Sequence, residues 1–128
     1  MRLHELLTIG RALKKHPLYP TFKIRLNTNG LGNVIAKRDI VEELKTAVDV
    51  VCVSLNAENE TLWKQLMRPA AEYEQGYEQV KTFVSHCAQA GFSQVKVSCV
   101  ENTGADWQAV KKVAESLGAV FNEREFLK

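Results

Sequence analysis

Long apolar runs, clustered metal ligands and the common nucleophile motifs are all missing from this sequence. No stretch of about eighteen consecutive apolar residues occurs, so no segment has the length of a membrane-spanning helix. The opening Met1-Arg2-Leu3-His4-Glu5 has neither an apolar signal core nor a small-residue cleavage site, and a cytoplasmic location is expected. The three cysteines, Cys52, Cys87 and Cys99, are too few for a disulfide framework and sit inside apolar runs. No two of them stand at CxxC or CxxxCxxC spacing, so they are expected to be buried free thiols that bind no metal. HExxH, GxSxG and P-loop patterns are absent. Asn29-Gly30-Leu31-Gly32-Asn33 carries two glycines but not the GxGxxG spacing of a dinucleotide turn.

What is present is a chain of single-domain length with an uneven charge distribution. Residues 1–38 hold eight Lys/Arg and one acid, a net of +7, whereas residues 39–128 carry a net of −5. Such asymmetry can mark a nucleic-acid surface. No Lys/Arg-rich run with interleaved aromatics accompanies it, so the basic end reads as a helix face that meets solvent or an acidic neighbour.

The hydrophobic pattern alternates between helix and strand. Leu3, Leu6, Leu7, Gly10 and Leu13 recur at helical spacing until Pro17 and Pro20 stop them. Residues 22–26 are β-prone and lead into the turn-forming Asn27-Thr28-Asn29-Gly30. Asp39 and Glu42 resemble a capping box ahead of a short helix whose apolar side is Ile40, Leu44 and Ala47. Residues 48–55 are almost continuously apolar, as a parallel strand covered on both faces requires. A polar stretch with one helical turn near 62–67 follows. Tyr77, Val80, Phe83, Val84 and Cys87 then trace a helix closed by Gly91. Residues 95–100 form the next strand. Trp107, Val110, Ala114 and Leu117 mark the last helix, ended by Gly118, and 119–122 the last strand.

The expected order is α-β-α-β-α-β-α-β, an α/β fold with a parallel sheet and right-handed crossovers. Four strands cannot close a barrel, which leaves an open half of a TIM-type barrel or a small flavodoxin-like sheet. In either case ligands bind beyond the carboxyl ends of the strands. Those ends carry Thr28, Asn29 and Gly30, then Ser54 and Asn56, then Glu101 and Asn102, and last Glu123 and Arg124. Each residue taken alone reads as a turn or cap; together they define one polar rim. Glu101 is a single carboxylate and makes no acid–base pair.

At these strand ends the sequence resembles the radical S-adenosylmethionine (radical SAM) family. Ile24-Arg25-Leu26-Asn27-Thr28-Asn29-Gly30 is similar to that family's third-strand "xxTNG" signature, and Val48-Asp49-Val50-Val51-Cys52-Val53-Ser54-Leu55-Asn56-Ala57 to its fourth strand. Val95-Lys96-Val97-Ser98-Cys99-Val100 resembles the fifth strand. Leu117-Gly118-Ala119-Val120-Phe121-Asn122-Glu123-Arg124 looks like the close of a subgroup linked to TatD-type nucleases.

The resemblance implies that residues 1–128 are the carboxyl-terminal half of a (β/α)6 partial barrel. The CxxxCxxC loop that ligates a [4Fe–4S] cluster, and the GGE-type strand end that holds the cofactor's amino group, are not in the sequence. The resemblance assigns Thr28, Asn29, Ser54 and Asn56 to the S-adenosylmethionine-binding rim, with Glu101 as a further candidate. It implies weak or lost cofactor binding, no cluster and no activity in this chain alone. Two partners are expected, a second copy of the chain pairing along an open sheet edge or an amino-terminal half supplied by another chain. A functional link to a TatD-type nuclease is also implied. A non-enzymatic ligand-binding or protein-interaction module is the competing expectation.

Overall fold

The structure is a computed structural model that describes residues 3–19, 21–67, 76–99 and 106–121. Helix α1 (Leu3–Lys14) is followed by strand β1 (Arg25–Thr28), the short helices α2 (Gly32–Ala36) and α3 (Val41–Lys45), and strand β2 (Val50–Ser54). Helices α4 (Glu60–Met67) and α5 (Gly76–Ala90), strand β3 (Gln94–Ser98), helix α6 (Trp107–Ser116) and strand β4 (Val120–Phe121) complete the described elements.

The four strands are all parallel and lie in the order β1-β2-β3-β4. Each crossover moves one strand further in the same direction. Right-handed crossovers that never reverse place their helices on one face of the sheet, and no topological switch point arises. Alternation along the strands then sorts the side chains. Leu26, Val51, Val53, Val95, Val97 and Phe121 face the helices and join the main core with Val80, Phe83 and Val84 of α5 and Val110 and Ala114 of α6. Removing these side chains from water is the main stabilising term of the fold, at about 1.5–3 kcal/mol for each large aliphatic group.

No described helix covers the other face, which is mostly polar. Arg25, Val50 and Gln94 form one cross-strand row, and Asn27, Cys52, Lys96 and Val120 the next. Ser54 and Ser98 pair above them. A half-barrel is expected to leave Val50 and Cys52 partly uncovered, and the structure differs. Val50 is only 8% exposed and Cys52 4%. Each is flanked in register by polar residues, Arg25 and Gln94 for the first, Asn27 and Lys96 for the second.

The strands fall near their expected places but are displaced at the ends. β1 begins at Arg25 and not at residue 22, because the Ile24 N–H is taken by the Asp49 carboxylate at 2.9 Å. The capping box at Asp39 and Glu42 does not form. Ile40 occupies the cap position without a side-chain cap bond, while Asp39 Oδ1 accepts from Val41 N at 2.9 Å and Asn33 Oδ1 from Ile40 N at 2.8 Å. Helix α2 was not expected. No described helix is long and apolar enough to cross a membrane.

Candidate functional site

The turn after β1 is built by the two residues that the sequence places on the rim. Thr28 Oγ1 accepts a hydrogen bond from Gly30 N at 3.1 Å, and Asn29 Oδ1 accepts one from Leu31 N at 3.1 Å. Such local side-chain-to-backbone bonds replace the strand ladder as the chain leaves the sheet. Gly30 completes the turn at φ +84°, and a Cβ there would sit 2.7 Å from Val80 Cγ1 and 3.0 Å from Val53 Cγ1. The turn is therefore pressed onto the core, and the oxygens of Thr28 and Asn29 are engaged in holding it.

The ends of β2 and β3 are organised differently. Leu55 N and Asn56 N both donate to the carbonyl of Ser98, at 3.1 and 3.3 Å. This shared acceptor ties the two strand ends together, and Asn56 leaves the ladder in the left-handed region at φ +66°. Further out, Tyr77 Oη donates to Ala57 O at 3.3 Å, and Asp106 N donates to Glu58 Oε2 at 3.2 Å. The hydroxyl-bearing side chains of Ser54 and Ser98 stand beside each other in register, on the sheet face opposite the helices.

Of the five rim residues read from sequence, the structure brings Ser54 and Asn56 together at one strand end. Thr28 belongs to the helix-facing side of β1, and Asn29 to the turn beyond it. Glu101 lies outside the described residues. Ser98 was missed, although its signal is visible: Val51-Cys52-Val53-Ser54 and Val95-Lys96-Val97-Ser98 share one Val-x-Val-Ser pattern and are aligned residue for residue in the sheet.

A second missed residue is Asp49, at the opposite end of β2. It is buried, and burial alone would push its carboxyl upward. Hydrogen bonds from Ile24 N and Tyr19 Oη, with the Lys14 and Lys23 ammonium groups nearby, outweigh that effect and hold it below the ordinary aspartate value. Both carboxylate oxygens are occupied, so Asp49 acts as a clasp at the amino end of the sheet. An acid inside an otherwise apolar strand run was the available signal.

Beside β1 lies an apolar groove of about 720 Å³, lined by Leu3 and Leu6 of α1, Leu26 of β1, Ile35 of α2 and Leu44 of α3 among others. It meets Thr28 and Asn29 at one end. The cysteines stand apart from one another: Cys52 on the face of β2 opposite the helices, Cys87 in α5 and Cys99 just past β3. All three thiols are buried and in no disulfide, and burial raises the Cys87 thiol to about 12. Among the described residues no group of three or more His, Cys, Asp or Glu side chains is placed to hold a metal. No protein-family model, curated protein or solved structure matches the chain.

Proposed function

We propose that this chain is the carboxyl-terminal half of a radical SAM barrel, contributing part of the S-adenosylmethionine-binding rim. The observation that carries the reading is the pairing of Ser54 with Ser98 at the carboxyl ends of a parallel sheet wound in one direction, on its polar face, which no described helix covers. A barrel of this winding presents that face to its interior and its strand ends to the ligand. The xxTNG-like turn at Thr28, Asn29 and Gly30 and the Ser54–Asn56 segment each follow a parallel strand at its carboxyl end, which supports the reading.

The thiols on this chain do not suit a [4Fe–4S] cluster, because Cys52, Cys87 and Cys99 belong to three separate places in the fold. The cluster and the radical chemistry it supports would therefore come from elsewhere. Ser54, Asn56 and Ser98 offer hydroxyl and amide groups suited to the ribose and amino-acid moieties of S-adenosylmethionine, with Glu101 as a further contributor. Half a rim binds weakly, on the order of millimolar. The partner is proposed to dock along β1, either as a second copy of this chain or as an amino-terminal half on another chain. The working context of the complete enzyme is proposed to include a TatD-type nuclease.

Titration of the isotopically labelled chain with S-adenosylmethionine tests the reading. Amide shifts confined to the strand ends at Thr28–Gly30, Ser54–Asn56, Ser98 and Glu101, weakened by Ser54→Ala, are expected. Shifts elsewhere, no shifts up to tens of millimolar, or micromolar affinity in calorimetry would overturn it.

A further inference from the structure

The groove on the helix-facing side of β1 has an apolar floor and one polar end. Its floor is Leu44 of α3 and Phe83 of α5, each 1% exposed, and its outer lip is Ile35 of α2. Leu6 of α1 and Leu26 of β1, both half-buried, line it as well. At about 720 Å³ it lies within the range of small-molecule sites, which are mostly apolar with a few placed polar groups. Water finds no hydrogen-bond partner along such a floor, and a space of this kind favours an apolar occupant.

The polar end offers donors. Among the described lining residues only Asn27, Thr28 and Asn29 carry polar side chains, and register turns Asn27 toward the other sheet face. Thr28 Oγ1 and Asn29 Oδ1 each accept a backbone N–H of the turn, which leaves the Thr28 hydroxyl proton and the Asn29 amide group to donate. No Asp or Glu occurs from residue 6 to residue 38, the span that supplies this end. The next acids, Asp39 and Glu42, border a separate recess beside His86.

We propose that the groove binds a single-chain amphiphile of medium length, a fatty carboxylate, with its tail against Leu44 and Phe83 and its head accepting from Thr28 and Asn29. Removal of the tail from water is worth about fourfold in affinity for each methylene fully buried. The carboxylate meets donors in an acid-free segment, whereas an ammonium head would meet oxygens already engaged by the turn. The floor lies deeper than Ile35, so an occupant and a second copy resting on Ile35 do not exclude each other. One molecule per chain is expected in either state. The site does not depend on the S-adenosylmethionine reading, which centres on Ser54 and Ser98 on the opposite face of the sheet.

Decanoate, hexanoate and decylamine, each titrated into the labelled chain at neutral pH and constant ionic strength, test tail and head separately. Saturable amide shifts at Leu26, Asn29, Ile35 and Phe83, without shifts at Ser54 or Ser98, are expected with decanoate. Hexanoate, four methylenes shorter, is expected to bind weaker by about tenfold or more, and decylamine by about fivefold or more. Asn29→Asp keeps the acceptor for Leu31 N but replaces the amide donor with a negative charge, and should weaken decanoate about tenfold with an otherwise preserved spectrum. Leu6→Gln, at a half-buried wall position, should weaken it several-fold, and Val120→Ala, at the far edge of the sheet, should leave it unchanged. The absence of saturable shifts, equal affinity for decanoate and either comparison compound, or unchanged affinity in Asn29→Asp or Leu6→Gln would overturn the proposal.

Discussion

Tyr19 donates its phenolic proton to Asp49 Oδ1 at 2.8 Å, which ties the loop ahead of β1 to the amino end of β2. The same carboxylate accepts from Ile24 N at 2.9 Å and lies 3.6 Å from Lys14 Nζ at the end of α1. One buried acid therefore joins α1, the loop, β1 and β2. Asp49→Ala removes the acceptor of the Ile24 N–H, and is expected to cost about 1–3 kcal/mol in urea unfolding at neutral pH.

The pH dependence of that contribution follows from the direction of its shift. Asp49 is held below its ordinary value of 3.8, so the folded state favours the charged form. Its stabilisation is complete above the unfolded value and is lost as pH falls through the folded one. The stability difference between wild type and Asp49→Ala is thus expected to be constant from pH 7 to 5 and to shrink below about 4. A difference that persists at pH 2 would show that packing, and not charge, is what the residue contributes.

Helix α1 approaches the turn between α3 and β2 closely enough to require glycine. A Cβ on Gly10 would stand 2.4 Å from the Ala47 carbonyl oxygen and 2.6 Å from Ala47 Cβ. The opposing atoms are backbone and a short side chain, so neither can swing away. Gly10→Ala gains about 1 kcal/mol of helix propensity, yet overpacking costs of about 1–3 kcal/mol are expected to prevail. Thermal unfolding should show a lowered midpoint, and a raised one would mean that α1 is free to lift from Ala47.

The alternation of helices and strands was legible because β2 and β3 each carry an apolar face of sufficient length. Val51, Val53, Val95 and Val97 announce their strands directly, and the glycines at 91 and 118 end α5 and α6 where expected. β1 was harder to place because its burial alternates between exposed and intermediate only, the pattern of an edge. Helix α2 has only five residues, Gly-Asn-Val-Ile-Ala, too few to show a helical period. At the candidate site the individual polar residues were readable, but their sorting was not. Thr28 and Ser54 both close a strand, yet Thr28 pairs in register with Val53, which puts it on the opposite face from Ser54. Register is a property of two strands together, and the sequence of one strand does not contain it.

The buried thiols are expected to be chemically silent. With the Cys87 group raised to about 12 by burial, its reactive thiolate is scarce at pH 8. Iodoacetamide applied to the native chain should leave Cys87 unmodified by peptide mass mapping, while all three cysteines react in denaturant. Rapid native labelling of Cys87 would place α5 in frequent local opening.

The last expectation concerns the edge at β1. This strand pairs with β2 on one side and has no described strand on the other, so a row of backbone N–H and C=O groups is available to another chain. Beside it the apolar groove includes Ile35, which is 62% exposed. A twofold contact uses the same surface on both copies and would pair β1 with itself in antiparallel fashion. Centred on Leu26, that pairing sets Arg25 of one copy opposite Asn27 of the other and brings no two cations face to face. Within one chain the same two side chains already form a 2.9 Å hydrogen bond, so the exchange is chemically equivalent. Light scattering at micromolar concentration is expected to give twice the chain mass of 14.4 kDa. Ile35→Glu, which charges the groove at an already exposed position, should return the monomer mass without lowering the unfolding midpoint. A monomeric wild type would reject self-pairing, and a dimer indifferent to Ile35→Glu would place the contact away from the groove.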